Sequence, residues 1–208
     1  MGRGRFMSKI TKDMFSNYLH HPDEISEQEK QFLLKSARRS ITCAVDNRSF
    51  LLSDVPIELS NLKLHAATFV TLEMNNELRG CVGKLEPDQS ILDDVIGNAK
   101  SAAMKDSRFN PVSALEVDEI TIKISVLSSP QDMRVDSEAQ LIKELVPYRD
   151  GLVISEGYRK STFLPSVWEN LSNPVEFIQH LKEKAGFSKH YWSKRLRIQK
   201  YFTVEFGE

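Results

Sequence analysis

Ile120, Ile122, Ile124 and Val126 alternate with Thr121, Lys123 and Ser125. A period of two fits an extended strand buried on one face, because successive side chains leave opposite sides of a pleated backbone. Such a strand needs neighbours, and the chain offers them as hairpins. Thr68 to Glu73 is β-rich, Asn75 and Asn76 are turn residues, and Leu78 to Val82 resumes the extended pattern. A second hairpin is expected where Gly151 to Ser155 and Tyr158 to Leu164 flank Glu156-Gly157, and Tyr201 to Phe206 alternates as a final strand.

Helical signals separate these strands. Ser26 and Glu29 have the spacing of a capping box, and Phe32, Leu33, Ala37, Ser40, Ile41, Ala44 and Val45 follow at helical period, which predicts a helix from Glu27 to Val45. Cys43 falls inside it as a small buried hydrophobe. Pro87 to Ser90 starts a second helix with Ile91, Leu92, Val95, Ile96, Ala99, Ala102 and Ala103 as its buried stripe, and Asp106-Ser107-Arg108 ends it. Leu141 to Leu145 suggests a short helix. A further one begins at the Asn173-Pro174 cap and stops at Gly186. Hairpins separated by helices predict an α+β fold, a mainly antiparallel sheet flanked by helices, rather than repeated βαβ units. The simplest organisation is a disordered leader over residues 1–7, containing Gly-Arg-Gly-Arg, and a single domain over 8–208 that can carry a smaller lobe.

Composition narrows the function classes. With 28 Lys and Arg against 29 Asp and Glu, the net charge of -1 argues against a whole-molecule polyanion binder. Two cysteines cannot make a disulfide framework or a cysteine-rich zinc site, and no cluster of His or Cys has metal-ligand spacing. No apolar run reaches the roughly 18 residues that a membrane helix needs. A cytoplasmic, reducing setting is expected. Walker, dinucleotide-glycine, HExxH and GxSxG motifs are all missing from the sequence.

Chemistry is expected at Leu78-Arg79-Gly80-Cys81-Val82-Gly83. In a regular strand Arg79, Cys81 and Gly83 share a face, while Leu78, Gly80 and Val82 share the other. A guanidinium beside a thiol favours the thiolate, and Gly80 and Gly83 leave room for a backbone or a ligand. Cys81 is thus the candidate nucleophile, with Arg79, Gly80 and Gly83 as candidate ligand-binding residues. A cysteine buried as packing and glycines marking a bulge would read the same way. His65, ahead of the first hairpin strand, is within reach of Cys81 across it, and His20 and His21 sit beside Pro22, at the end of a helix; for each the favoured reading is a satisfied or exposed histidine. From Lys182 to Lys200 seven basic residues interleave with Phe187, Tyr191 and Trp192, a pattern that can grip single-stranded nucleic acid or be a solvated face over an aromatic core. The neutral overall charge favours the latter.

These residues carry a resemblance. Phe69-Val70-Thr71-Leu72 followed by Leu78 to Gly83 resembles the signature of the AMMECR-type domain family, whose hexapeptide is usually LRGCIG; Val82 stands for the isoleucine. Asn98-Ala99, Ala102-Ala103 and Asp106-Ser107-Arg108-Phe109 resemble the family's NA…AA…DPRF stretch, with Ser107 in place of proline. Ile124 to Ser128, Asp150-Gly151-Leu152, Phe163-Leu164-Pro165, Val167-Trp168 and Lys184-Ala185-Gly186 follow in family order. The resemblance runs from about Glu27 to Phe206. It implies a compact α+β domain with a larger and a smaller lobe. It also implies similarity to protein A of the AmmeMemoRadiSam system, where the partners are a Memo-type protein and a radical S-adenosylmethionine protein. It implies neither a reaction nor a cofactor. It adds Asp106, Arg108 and Lys160 to the candidate ligand-binding residues. Three functions therefore compete: a cleft around the hexapeptide that binds a small anionic ligand or supports cysteine-dependent chemistry, a non-enzymatic interaction module for those partners, and nucleic-acid association through the basic segment.

Overall fold

The computed structural model of the chain describes residues 18, 19, 21–51 and 56–208. The expected leader over residues 1–7 and the expected helix end at His20 lie outside them, while His21 opens a single 3-10 turn, Pro22–Glu24. The fold is α+β with two antiparallel four-stranded sheets. It divides into two compact units: one runs through Ser129 and takes in Val204–Glu208, and the other is Pro130–Thr203.

In the first unit, helix α1 (Glu27–Val45) begins where Ser26 and Glu29 cap each other's backbone. Glu29 is buried and also accepts from the Asn61 amide at 3.0 Å, which ties the 3-10 segment Ile57–Lys63 to the helix start. Strands β1 (Thr68–Met74) and β2 (Glu77–Gly83) form the first hairpin. Its turn residues Asn75 and Asn76 have φ of 55° and 63°, a left-handed pair that asparagine tolerates and that matches the twist of the strands. Helix α2 (Ile91–Met104) and strand β3 (Thr121–Leu127) follow, and the sheet order is β2-β1-β3-β8, with β8 (Thr203–Gly207) completing it. Val70, Leu72, Ile122, Ile124 and Val126 bury one face of this sheet in a core shared with Leu33, Ile41, Val95 and Ala99 of the helices.

A buried polar cluster fixes α2 on the hairpin. Asp94 accepts from the Thr68 amide (2.9 Å), the Thr68 hydroxyl (2.7 Å) and Asn98 Nδ2 (3.0 Å), and Asn98 also donates to the Thr68 carbonyl. Every buried partner in this cluster is satisfied, so it specifies one docking geometry.

In the second unit the sheet order is β4-β7-β5-β6, from β4 (Gln131–Asp132), β5 (Gly151–Glu156), β6 (Arg159–Phe163) and β7 (Arg197–Tyr201). Helices α3 (Glu138–Glu144) and α4 (Pro174–Lys184) pack on it, and Gly186 with φ of 80° ends α4. Trp168 is fully buried, stacked on Phe177 with ring centroids 3.7 Å apart, and donates to the Asp150 carbonyl at 2.8 Å. The expected single strand from Tyr201 to Phe206 is two: Tyr201 ends β7 in one sheet and Thr203 begins β8 in the other. Alternation reports which face a residue occupies, not which sheet it joins.

Candidate functional site

The site grows from the register of the first hairpin. Thr71 is paired with Cys81 on one side and with Lys123 on the other, so Cys81, Thr71 and Lys123 form one row across β2, β1 and β3. The Thr71 hydroxyl donates to Cys81 Sγ at 3.2 Å. Lys123 Nζ lies 2.8 Å from Glu73 Oε1. The neighbouring row is Gly83, Phe69 and Ser125, and its phenyl ring lies over Gly83, where a Cβ would come within 2.3 Å of it. This row of thiol, hydroxyl and ammonium lies on the sheet face opposite to the one that packs on α1 and α2.

Backbone contacts hold Cys81 from its open side. β2 is an edge strand. Its Cys81 amide donates to Asp106 Oδ2 at 2.9 Å, and Arg108 Nη2 donates to the Cys81 carbonyl at 3.3 Å. Asp106 and Arg108 also bond each other through two guanidinium nitrogens. The pair therefore supplies the donor and acceptor that a further strand would offer, and it blunts the edge at this point. The Arg108 fork, with help from the Cys81 amide, holds the Asp106 carboxyl far below the usual carboxylate range; Arg108 is raised in turn. Asp106 and Arg108, which follow α2, thus lie beside the hexapeptide and pair with each other.

Arg79 differs from expectation. The register slips between Leu72 and Glu73, whose partners are Gly80 and Leu78, so Arg79 is the extra residue of a bulge. Leu78 is thereby carried to the Glu73 side and is 43% exposed, instead of sharing the core face with Gly80. The Arg79 guanidinium lies along Glu116, with Nε–Oε1 at 2.8 Å and Nη2–Oε2 at 3.3 Å. With Ser113 donating to the same carboxylate from its amide and hydroxyl, Glu116 is held down at about 2. The guanidinium that the sequence assigns to the thiol is committed to this carboxylate.

The spaces beside the two hexapeptide glycines are also taken. A Cβ on Gly80 would lie 2.4 Å from the Ala102 carbonyl oxygen, so this glycine lets α2 approach the strand. Thr71, not His65, stands across from Cys81; His65 bridges to Tyr18 and Ser90, with Nδ1 3.3 Å from the Pro87 carbonyl. Lys160 belongs to the second unit, on β6 opposite Ser155.

Comparison with known proteins now decides the family: the AMMECR1 family model matches residues 34–206. The chain belongs to the AMMECR1 family. It is 32% identical over 188 residues to a protein of Methanococcus aeolicus, covering 89% of this chain and 94% of that one. It is 30% identical to a protein of Methanopyrus kandleri, over 82% and 83% of the two chains. Among solved structures, an uncharacterized protein from Pyrococcus horikoshii superposes with a TM-score of 0.79 at 26% identity, covering 88% of this chain and 93% of that one.

The basic segment of this AMMECR1-family chain is largely engaged in its own fold. Lys182 is fully buried, with Nζ 2.8 Å from Glu138 and 5.7 Å from the centre of the Trp192 ring. Arg195 pairs with Glu156, Arg197 pairs with Asp132, and Lys184 donates to the Thr162 carbonyl. Among the described residues no helix is long and apolar enough to cross a membrane, and no group of three or more His, Cys, Asp or Glu could hold a metal ion.

Sequence reading missed Thr71, Lys123 and Glu116 as members of the site. The first two carried a signal: the strand alternation that placed Ile122 and Ile124 inward puts Lys123 on the opposite face. Their alignment with Cys81 depends on register, which no local pattern encodes.

Proposed function

We propose that the row Cys81–Thr71–Lys123 binds a small carbonyl-bearing anion, with the Lys123 ammonium toward its charge and the Cys81 sulfur as the nucleophilic atom. The observation that supports this reading is the Thr71 hydroxyl directed at Cys81 Sγ within a row that ends in a cation. A hydroxyl donor stabilises a thiolate, and a strand clamped by Asp106 and Arg108 on its open edge holds the sulfur in place. Arg79, Arg108 and Lys123 each contact a carboxylate; in this reading Lys123 supplies the attraction because it stands in the row with Cys81 and Thr71, and the two arginines shape the site. A free thiol in this role belongs in a reducing, cytoplasmic compartment.

Competitive labelling of the native protein with iodoacetate and iodoacetamide tests it, with Cys43→Ser removing the other thiol. The expected result is labelling at Cys81 with a preference for the anionic reagent. Lys123→Gln lowers that preference several-fold, and Thr71→Val slows both reagents. A thiol that reacts only after unfolding, or an anion preference that survives Lys123→Gln, overturns the proposal. The face would then be better read as a docking surface for a Memo-type or radical S-adenosylmethionine partner.

A further inference from the structure

Each described glycine but one has a structural reason to be glycine. Gly80, Gly83, Gly151 and Gly207 have neighbours that crowd the place of a Cβ, and Gly157 and Gly186 have positive φ. Gly97 has neither: nothing lies within 4 Å of its would-be Cβ. It sits in the interior of α2, where glycine destabilises a helix relative to alanine. The empty space beside it is part of a cleft of about 680 Å³ between α2 and the C-terminal part of α1 with the chain that follows. That volume is in the range of small-molecule sites.

The lining is chemically one-sided. Phe50, Ile96 and Met104 form apolar walls, with Cys43 beside them. Ile96 is the one residue of the expected buried stripe on α2 that is only partly buried. Among the described residues, Lys100, one turn beyond Gly97, and Arg48 are the charged residues of the lining, and no acidic one contributes to it. Arg48 is paired with Asp46, whereas Lys100 pairs with no carboxylate among the described residues. At the join of the two helices the Ser40 hydroxyl donates to the Ile96 carbonyl at 2.9 Å, so the walls are braced.

We infer that this cleft is a second binding site, for a small amphipathic anion whose apolar body lies over Gly97 between Phe50, Ile96 and Met104 and whose acidic head meets Lys100. It shares no lining residue with the Cys81 row and does not rest on the function proposed there.

Anilinonaphthalene sulfonate, an apolar body with one anionic group, is the probe. Titration of the native protein is expected to show saturable fluorescence at one site per chain. Gly97→Leu fills the cleft with a good helix former and should weaken binding by about tenfold or more. A thermal midpoint no lower than that of the parent shows that its fold is intact. Lys100→Glu should weaken the probe several-fold while leaving the uncharged analogue phenylnaphthylamine unaffected. Absence of saturable binding, or binding that Gly97→Leu leaves unchanged, overturns the site. Equal effects of Lys100→Glu on the charged and uncharged probes overturn the anionic head.

Discussion

Gly80 shows how little slack surrounds the hexapeptide. Its Cβ would meet a backbone oxygen of α2, which no side-chain rotation can move aside. Gly80→Ala should therefore destabilise the protein by about 1–3 kcal/mol through overpacking, measured by urea unfolding. Glu116 gives a pH signature. Its folded value of about 2 lies below its ordinary 4.5, so the Arg79 pair stabilises the fold fully above the ordinary value, and this contribution is lost as pH falls toward 2. Unfolding free energy measured from pH 5 to pH 2 should fall more steeply in the parent than in Glu116→Gln; equal slopes would mean that the Arg79 pair contributes nothing. At this scale the sequence was partly legible. Cys81 and Gly83 face as strand parity demands, opposite Thr71 and Phe69 of β1. Leu78 does not, because one inserted residue reverses parity beyond it. The partner of Arg79 was hidden because it comes from a loop distant in sequence.

Capping at the start of α1 is local, so the sequence displayed it in full: Ser26, Glu29 and the helix bounds are all as expected. Ser26→Ala should cost about 1 kcal/mol, the usual effect of losing such a cap. Glu29→Ala should cost more than Ser26→Ala in the same denaturation assay, because the buried carboxylate also holds the Asn61 amide. Equal losses would show the link to Ile57–Lys63 to be energetically silent. Strands are less legible than helices for the same reason. The two-residue strand β4 has no pattern to detect, and the break at Phe202 between β7 and β8 is set by partners in two different sheets.

Both tryptophans, Trp168 and Trp192, belong to the second unit, whereas Cys43 is buried in the first. Their signals thus report different parts of the chain. In Gly80→Ala, exposure of Cys43 to a thiol reagent should shift to lower denaturant while the tryptophan fluorescence midpoint holds; a joint shift would mean that the two units unfold as one. The connectivity has a kinetic side as well. Strand β8 joins β3 only after the chain has passed through the whole of residues 130–203, a long loop to close. Yet Gln131 and Lys200 are direct partners where β4 meets β7, so the second unit brings its own two ends together when it forms. The span that remains for β8 to bridge shrinks to a few residues. By the logarithmic dependence of closure entropy on loop length, that removes about 2 kcal/mol from the barrier to completing the first sheet. The short strand Gln131–Asp132 works as a clasp that holds the two ends of the second unit together.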